Sequence, residues 1–201
     1  MIFKISVALF AASLGMVWGV AEGSSLLING GFDGPVGNPD YMLKQRFIDV
    51  KPQGWSGGDK LVYLCMPGVP PTDTVYDNNG GLATWQTPGL SPNGGSFVIA
   101  HGDPRYRDAI YQTVNNLTVG SMYTVSFYQA SGQNVNFFGD TWVQWIVGFG
   151  SQVQYSQVMI TPSQGKQSWQ EQSFYFKAQN TSETLSFFSR EWGRCGEWGS
   201  G

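Results

Sequence analysis

Thr141–Phe149 reads TWVQWIVGF, and Val143, Trp145, Val147 and Phe149 fall on every second position. A period of two belongs to an extended strand, in which successive side chains point to opposite faces. The same alternation runs through Met122–Ser131, where Tyr123, Val125 and Phe127 oppose Thr124, Ser126 and Tyr128. It returns in Trp169–Ala178, where Phe174 and Phe176 alternate with Ser173 and Tyr175. A sheet with one apolar face must cover that face, and a second sheet of the same kind does so. Shorter runs predict further strands at Leu26–Asn29, Lys60–Cys65, Ser96–His101, Ala109–Val114, Gln152–Ile160 and Glu183–Ser189. Asn29-Gly30-Gly31, Asn79-Gly80-Gly81 and Asn93-Gly94-Gly95 supply tight reversals, because Asn and Gly tolerate positive φ. The expected fold is all-β, a two-sheet sandwich with jelly-roll connections.

The N-terminus reads differently. Lys4 precedes an uncharged apolar run from Ile5 to Val20, and the small residues Gly19 and Ala21 come just before Glu22. That order is a secretory signal peptide over 1–21, with an uncleaved N-terminal anchor as the alternative. The rest, 22–189, is long enough for one full domain. Only 12% of the chain is charged, while 15% is aromatic, so it can bury a core and must stay soluble through Gln, Asn, Ser and Thr. The net charge of −3 and the lack of a basic patch argue against nucleic acid as a partner. Cys65 and Cys195 are the only cysteines. In an oxidising compartment they suggest a disulfide worth about 4 kcal/mol in the chain-entropy model, with two unpaired thiols as the alternative. Two cysteines without a CxxC spacing and one histidine argue against zinc or iron–sulfur. Leu26–Leu82, rich in Gly, Pro and Asp, predicts long surface loops anchored by Phe47, Trp55 and Tyr63.

Four segments carry a family resemblance: LLINGGFDGP, the following Gly54-Trp55, GGSFVIAHGDP, and AIYQTVNNLTVGSMYTVSFYQA. Together they resemble secreted galactose-binding-like jelly-roll domains over about Leu26 to Phe188. The likeness is nearest to bacterial exported proteins that often carry a Pro-Glu-Pro C-terminal sorting tail, and extends to plant cell-wall proteins. The resemblance implies a galactose-binding-like jelly roll in an exported, cell-surface or matrix protein that engages glycans. The chain departs from the family after Phe188, where SREWGRCGEWGSG replaces a last strand and sorting tail. Residues 190–201 therefore read as an atypical tail from a shifted frame or truncated gene, with a divergent genuine tail as the alternative. A missing strand would leave a sheet edge open and put any structural calcium on that strand in doubt.

His101 is the only histidine, and no GxSxG elbow accompanies it, so a Ser-His-Asp site is not expected. It reads instead as the end of a strand. In GDPRYRD, Asp103, Arg105 and Tyr106 offer a carboxylate, a planar fork and a flat ring to a sugar or an acidic ligand; the alternative is a solvated loop with local ion pairs. Asp103, Asp108, Asp140 and Glu171 show no spacing that marks a glycosidase pair. The aromatic and amide residues point further. Trp85, Trp142, Trp169 and Tyr175 accompany Gln86, Gln129, Gln144, Gln170 and Gln172, and flat rings with amides suit the faces and rims of sugars. Trp145 is expected in the core, and Trp142 with Gln144 on the opposite face. The expected function is an exported, non-catalytic carbohydrate-binding or matrix module without a cofactor, whose partner is a polysaccharide or other matrix proteins. The alternatives are a structural protein-interaction sandwich that binds no sugar and, behind it, a glycoside hydrolase.

Overall fold

A computed structural model describes residues 8–12, 25–32, 44–46, 52–60, 62–65, 84–92, 94–105, 107–135 and 137–192. These residues form β-strands, turns and loops with no helix. The strands are β1 (Ala8–Ala12), β2 (Lys44–Arg46), β3 (Ser56–Gly57), β4 (Val62–Cys65), β5 (Phe97–Ala100) and β6 (Ala109–Val114). They continue with β7 (Met122–Gly132), β8 (Thr141–Phe149), β9 (Gln152–Tyr155), β10 (Met159–Thr161), β11 (Lys166–Lys177) and β12 (Glu183–Trp192). One sheet runs β10-β8-β12-β6-β3, with β9 also paired to β8. The others run β1-β7-β11 and β2-β4-β5, and every pairing is antiparallel.

The alternating positions build the core. Val143, Trp145, Val147 and Phe149 of β8 join Leu185 and Phe187 of β12 and Ile110 of β6 on one inner face. Tyr123, Val125 and Phe127 of β7 and Phe174 and Phe176 of β11 meet them from the facing sheet. Phe127 stands edge-on to Phe187 at 5.4 Å, and Phe149 lies 5.5 Å from Phe176, so rings from the two layers interlock. The molecule is an all-β sandwich, and removing one such buried ring typically costs about 3–5 kcal/mol. In β4 and β5, Val62, Leu64, Val98 and Ala100 turn into this core. On their other face Cys65, Phe97 and Ile99 form a small second cluster with Trp169, whose ring meets Phe97 edge-on at 5.7 Å.

The segment predicted as a strand at Leu26–Asn29 is instead a turn, with Leu27 and Phe32 buried. Asn29 and Phe32 both have positive φ, of 52° and 58°, which no strand permits. A side chain replaces the ladder: Gln112 Oε1 accepts from the Ile28 amide at 2.7 Å, and its Nε2 donates to the Ile28 carbonyl at 2.8 Å. Trp55 packs on Phe32 at 4.6 Å and donates from Nε1 to the Asn29 carbonyl. Gly54 is required beside it, since a Cβ there would meet Ile28 Cβ and Gln112 Nε2 at 2.9 Å, and φ is +84°. The predicted anchor Trp55 is thus core, while Phe47 and the side chain of Tyr63 lie outside the described residues.

Gln152–Ile160, expected as one strand, breaks into β9 and β10 around Ser156. Ser156 is pinned to β8 by bonds between its amide and the Trp145 carbonyl and between its Oγ and the Trp145 amide. Glutamines then close the sandwich at this edge. Gln152 bonds both the amide and the carbonyl of Lys177, and Gln154 donates to the Tyr175 carbonyl. The Gln157 amide donates to Gln172 Oε1. These amides occupy the outer edge of β11 as a partner strand would, which blunts it against association. The other edge of that sheet carries β1, with Ala8 opposite Ser126 and Ala12 opposite Met122. β1 lies inside the segment expected to be the signal peptide, so cleavage after Ala21 would leave Met122–Ser126 of β7 without this partner.

At the C-terminal end, β12 does not stop at Ser189. It continues through Arg190 and Glu191 to Trp192, pairing with β8 throughout. The expected tail boundary at 190 therefore falls inside a strand. Cys195 lies outside the described residues, and so does any pairing with Cys65, which is buried in the second cluster.

Candidate binding face

The solvent side of the β8 sheet is assembled by register. Trp142 stands opposite Trp192 of β12 on one side and Ile160 of β10 on the other. Two residues along, Gln144 stands opposite Arg190, and two further, Ile146 lies between Phe188 and Tyr155. Val153 and Tyr111 extend the same face, opposite Gly148 and Ser186. The pleat puts these side chains on one side because their partners on the odd positions of β8 fill the core. Tyr111, Val153, Tyr155, Ile160 and Trp192 are all exposed, while Trp142, Ile146 and Phe188 are half-buried. Exposed apolar residues gathered on one sheet mark a contact surface more strongly than scattered ones.

Polar groups orient the rings. The Arg190 guanidinium lies 4.9 Å from the Trp192 ring centre, and that of Arg107 lies 4.7 Å from the Phe188 ring. Such cation–π contacts hold flat rings in place. Gln144 donates from Nε2 to the Ser156 carbonyl at 2.7 Å, so one amide group is already engaged in holding β8 to the β9–β10 link. Gly148 completes the face by absence. A Cβ there would stand 2.6 Å from Ser186 Oγ.

The other candidates separate from this face. Asp103 takes Arg105 in a bidentate pair, at 3.1 Å from Nε and 2.8 Å from Nη2, and also accepts the Arg105 amide. The hydrogen bond from Arg105 holds the Asp103 carboxyl down at about 2. Asp108 likewise accepts the amides of Asp59 and Ala109. This is the solvated-loop arrangement; Tyr106 lies outside the described residues. Arg107, from the same loop, is the member that reaches the aromatic face. Trp85 is half-buried against the loop after β7, donating from Nε1 to the Phe137 carbonyl and lying 6.0 Å from Phe138. It does not join Trp142. Tyr175 is exposed on the opposite sheet.

A small cleft lies beside this loop, lined by His101, Gln133, Asn134, Phe137, Thr141 and Glu191. His101 Nδ1 accepts the Asp103 amide at 3.1 Å, so the neutral ring carries its proton on Nε2. Burial lowers its pKa to about 4. Burial also raises the Glu191 carboxyl above the ordinary range. Ser189 Oγ donates to the His101 carbonyl at 2.6 Å, and the Glu191 amide to that of Gly102, so the end of β5 is tied to β12. His101, expected as the last residue of a strand, lies one residue past β5 and has a structural partner in β12. Glu191, Arg190 and Trp192 were missed because SREW was read as tail. Their signal was the unbroken alternation Phe188, Arg190, Trp192.

No protein-family model matches the chain, and a search of curated proteins returns no match.

Proposed function

We propose that the protein is an exported, non-catalytic carbohydrate-binding module of a cell surface or extracellular matrix, built on a galactose-binding-like jelly roll. One observation carries the reading: Trp142 and Trp192 are cross-strand neighbours on a solvent-facing sheet surface, with Gln144 and Arg190 as the next pair along. Directly opposed side chains stand about 5 Å apart, close enough for two rings to form one platform. An indole stacks on the C–H face of a sugar ring, while amide and guanidinium groups bond its hydroxyl rim. The face is open, so it suits an extended polymer lying across it. No cofactor is needed for such binding. The leader pattern at 1–21 supports export.

A protein partner is the second reading, favoured by Val153 and Tyr155, which add exposed apolar surface without polar rim groups. The test is retention of the full chain on insoluble polysaccharides. Carbohydrate binding predicts retention that weakens in Trp142→Ala and in Trp192→Ala. No retention on any polysaccharide would leave the protein-partner reading in its place.

A further inference from the structure

The face has an unusual charge. The chain is acidic overall, with a net charge of −3, yet the charged groups on its aromatic surface are both arginines. The solvent-facing positions of β6, β8, β9, β10 and β12 are Ala109, Tyr111, Thr113, Trp142, Gln144, Ile146, Gly148, Val153, Tyr155, Ile160, Thr184, Ser186, Phe188, Arg190 and Trp192, with no Asp or Glu among them. Arg107 reaches the same surface through its position over Phe188. Among the described residues the ion pair is Arg105 with Asp103, so neither Arg107 nor Arg190 is neutralised by a carboxylate. The acidic side chains near the face have partners of their own: Asp103 pairs with Arg105, Asp108 accepts the amides of Asp59 and Ala109, and Asp140, two residues before Trp142, accepts the Ser163 amide.

We propose that the ligand of this face is an anionic polysaccharide bearing carboxylates, a polyuronate. This rests on the carbohydrate reading above and adds the substrate class to it. A guanidinium fork matches a carboxylate in a bidentate geometry that a neutral hydroxyl cannot supply. Arg190 lies between the Trp142–Trp192 pair and Phe188, so a sugar stacked on the indoles presents its ring substituents to that fork. Arg107 comes two residues before Ala109, which pairs with Phe188, so its guanidinium over the Phe188 ring offers a second fork on the β6 side of β12. Two cations around Phe188 on one face suit a polymer that carries more than one carboxylate.

The test compares polygalacturonate with its methyl-esterified form, which keeps the sugar backbone and removes the charge. The full chain is run in native gels containing either polymer, with dextran sulfate as a plain polyanion and a neutral dextran beside them. The expected result is retardation by polygalacturonate, weaker by about tenfold on esterification and in Arg190→Gln. Arg190 is exposed, so Arg190→Gln should melt with wild type. Equal retardation by both forms would overturn the anionic class while keeping the carbohydrate reading. Retardation by dextran sulfate that is unchanged in Trp142→Ala would show mere polyanion attraction and also overturn it. No retardation by any polymer would remove both.

Discussion

Replacing Gln112 with Met should loosen the N-terminal turn without touching the hydrophobic core. Met matches Gln in length and fills the same space, but it offers no amide. The two bonds to Ile28, at 2.7 and 2.8 Å, are then lost together. Gln112 is buried, so its backbone partners on Ile28 are shielded on that side and water replaces the amide poorly. An unsatisfied backbone group costs about 1–3 kcal/mol, and partial access to water at Ile28 brings the sum for both to about 2 kcal/mol. In urea that is a midpoint shift of roughly 1 M at an unchanged slope. The thermal midpoint should fall by about 4–8 °C. Equilibrium urea denaturation followed by tryptophan fluorescence reads this directly, because Trp55 packs on the same turn. A shift below about 0.2 M would refute the reasoning. It would mean that Leu27 and Phe32 hold the turn by packing and that the Gln112 clamp adds nothing.

Acid should destabilise the fold through His101. Its native pKa of about 4 lies below the ordinary 6.5, so between those values the unfolded chain binds a proton that the native chain does not. Stability is then full above about pH 6.5 and falls toward pH 4, by roughly 3 kcal/mol at most. Glu191, shifted upward by burial, works in the opposite sense, and Asp103 titrates lower still. The comparison is therefore urea denaturation of wild type against His101→Gln from pH 7 to 4, where the variant should show the shallower decline. A second expectation concerns the edge of β7. A chain starting at Glu22 lacks β1, so it should associate more strongly than the full chain in light scattering. Thr124→Lys should reverse this by placing a charge on that edge. Equal scattering of the two chains would show that the edge needs no cover.

Much of the fold was legible because the core strands alternate cleanly. Ala109–Val114 and Thr141–Phe149 match the observed strands residue for residue. The errors have physical causes. Leu26–Asn29 is apolar and short, and nothing local reveals that a distant Gln112 substitutes for its ladder. Gln152–Ile160 looked continuous because the break at Ser156 depends on bonds to Trp145, 11 residues away. Half of the candidate face, Trp142 and Gln144, was visible from alternation alone. The other half lies on partner strands, and only register brings Trp192, Arg190, Ile160 and Tyr155 beside them. The abundant glutamines were read as sugar-facing or solvating groups. Several instead bond backbone groups of neighbouring strands, as Gln129, Gln152 and Gln154 do.

The central claim is that one sheet face binds sugar and the opposite one does not. Its most direct test is a polysaccharide binding isotherm for the full chain, the double variant Trp142→Ala/Trp192→Ala, and Tyr175→Ala. Tyr175 is the exposed aromatic control, on the other sheet with 60% of its surface accessible. The account predicts that the double variant loses binding and Tyr175→Ala keeps it. Binding retained by the double variant, or lost in Tyr175→Ala alone, would contradict it.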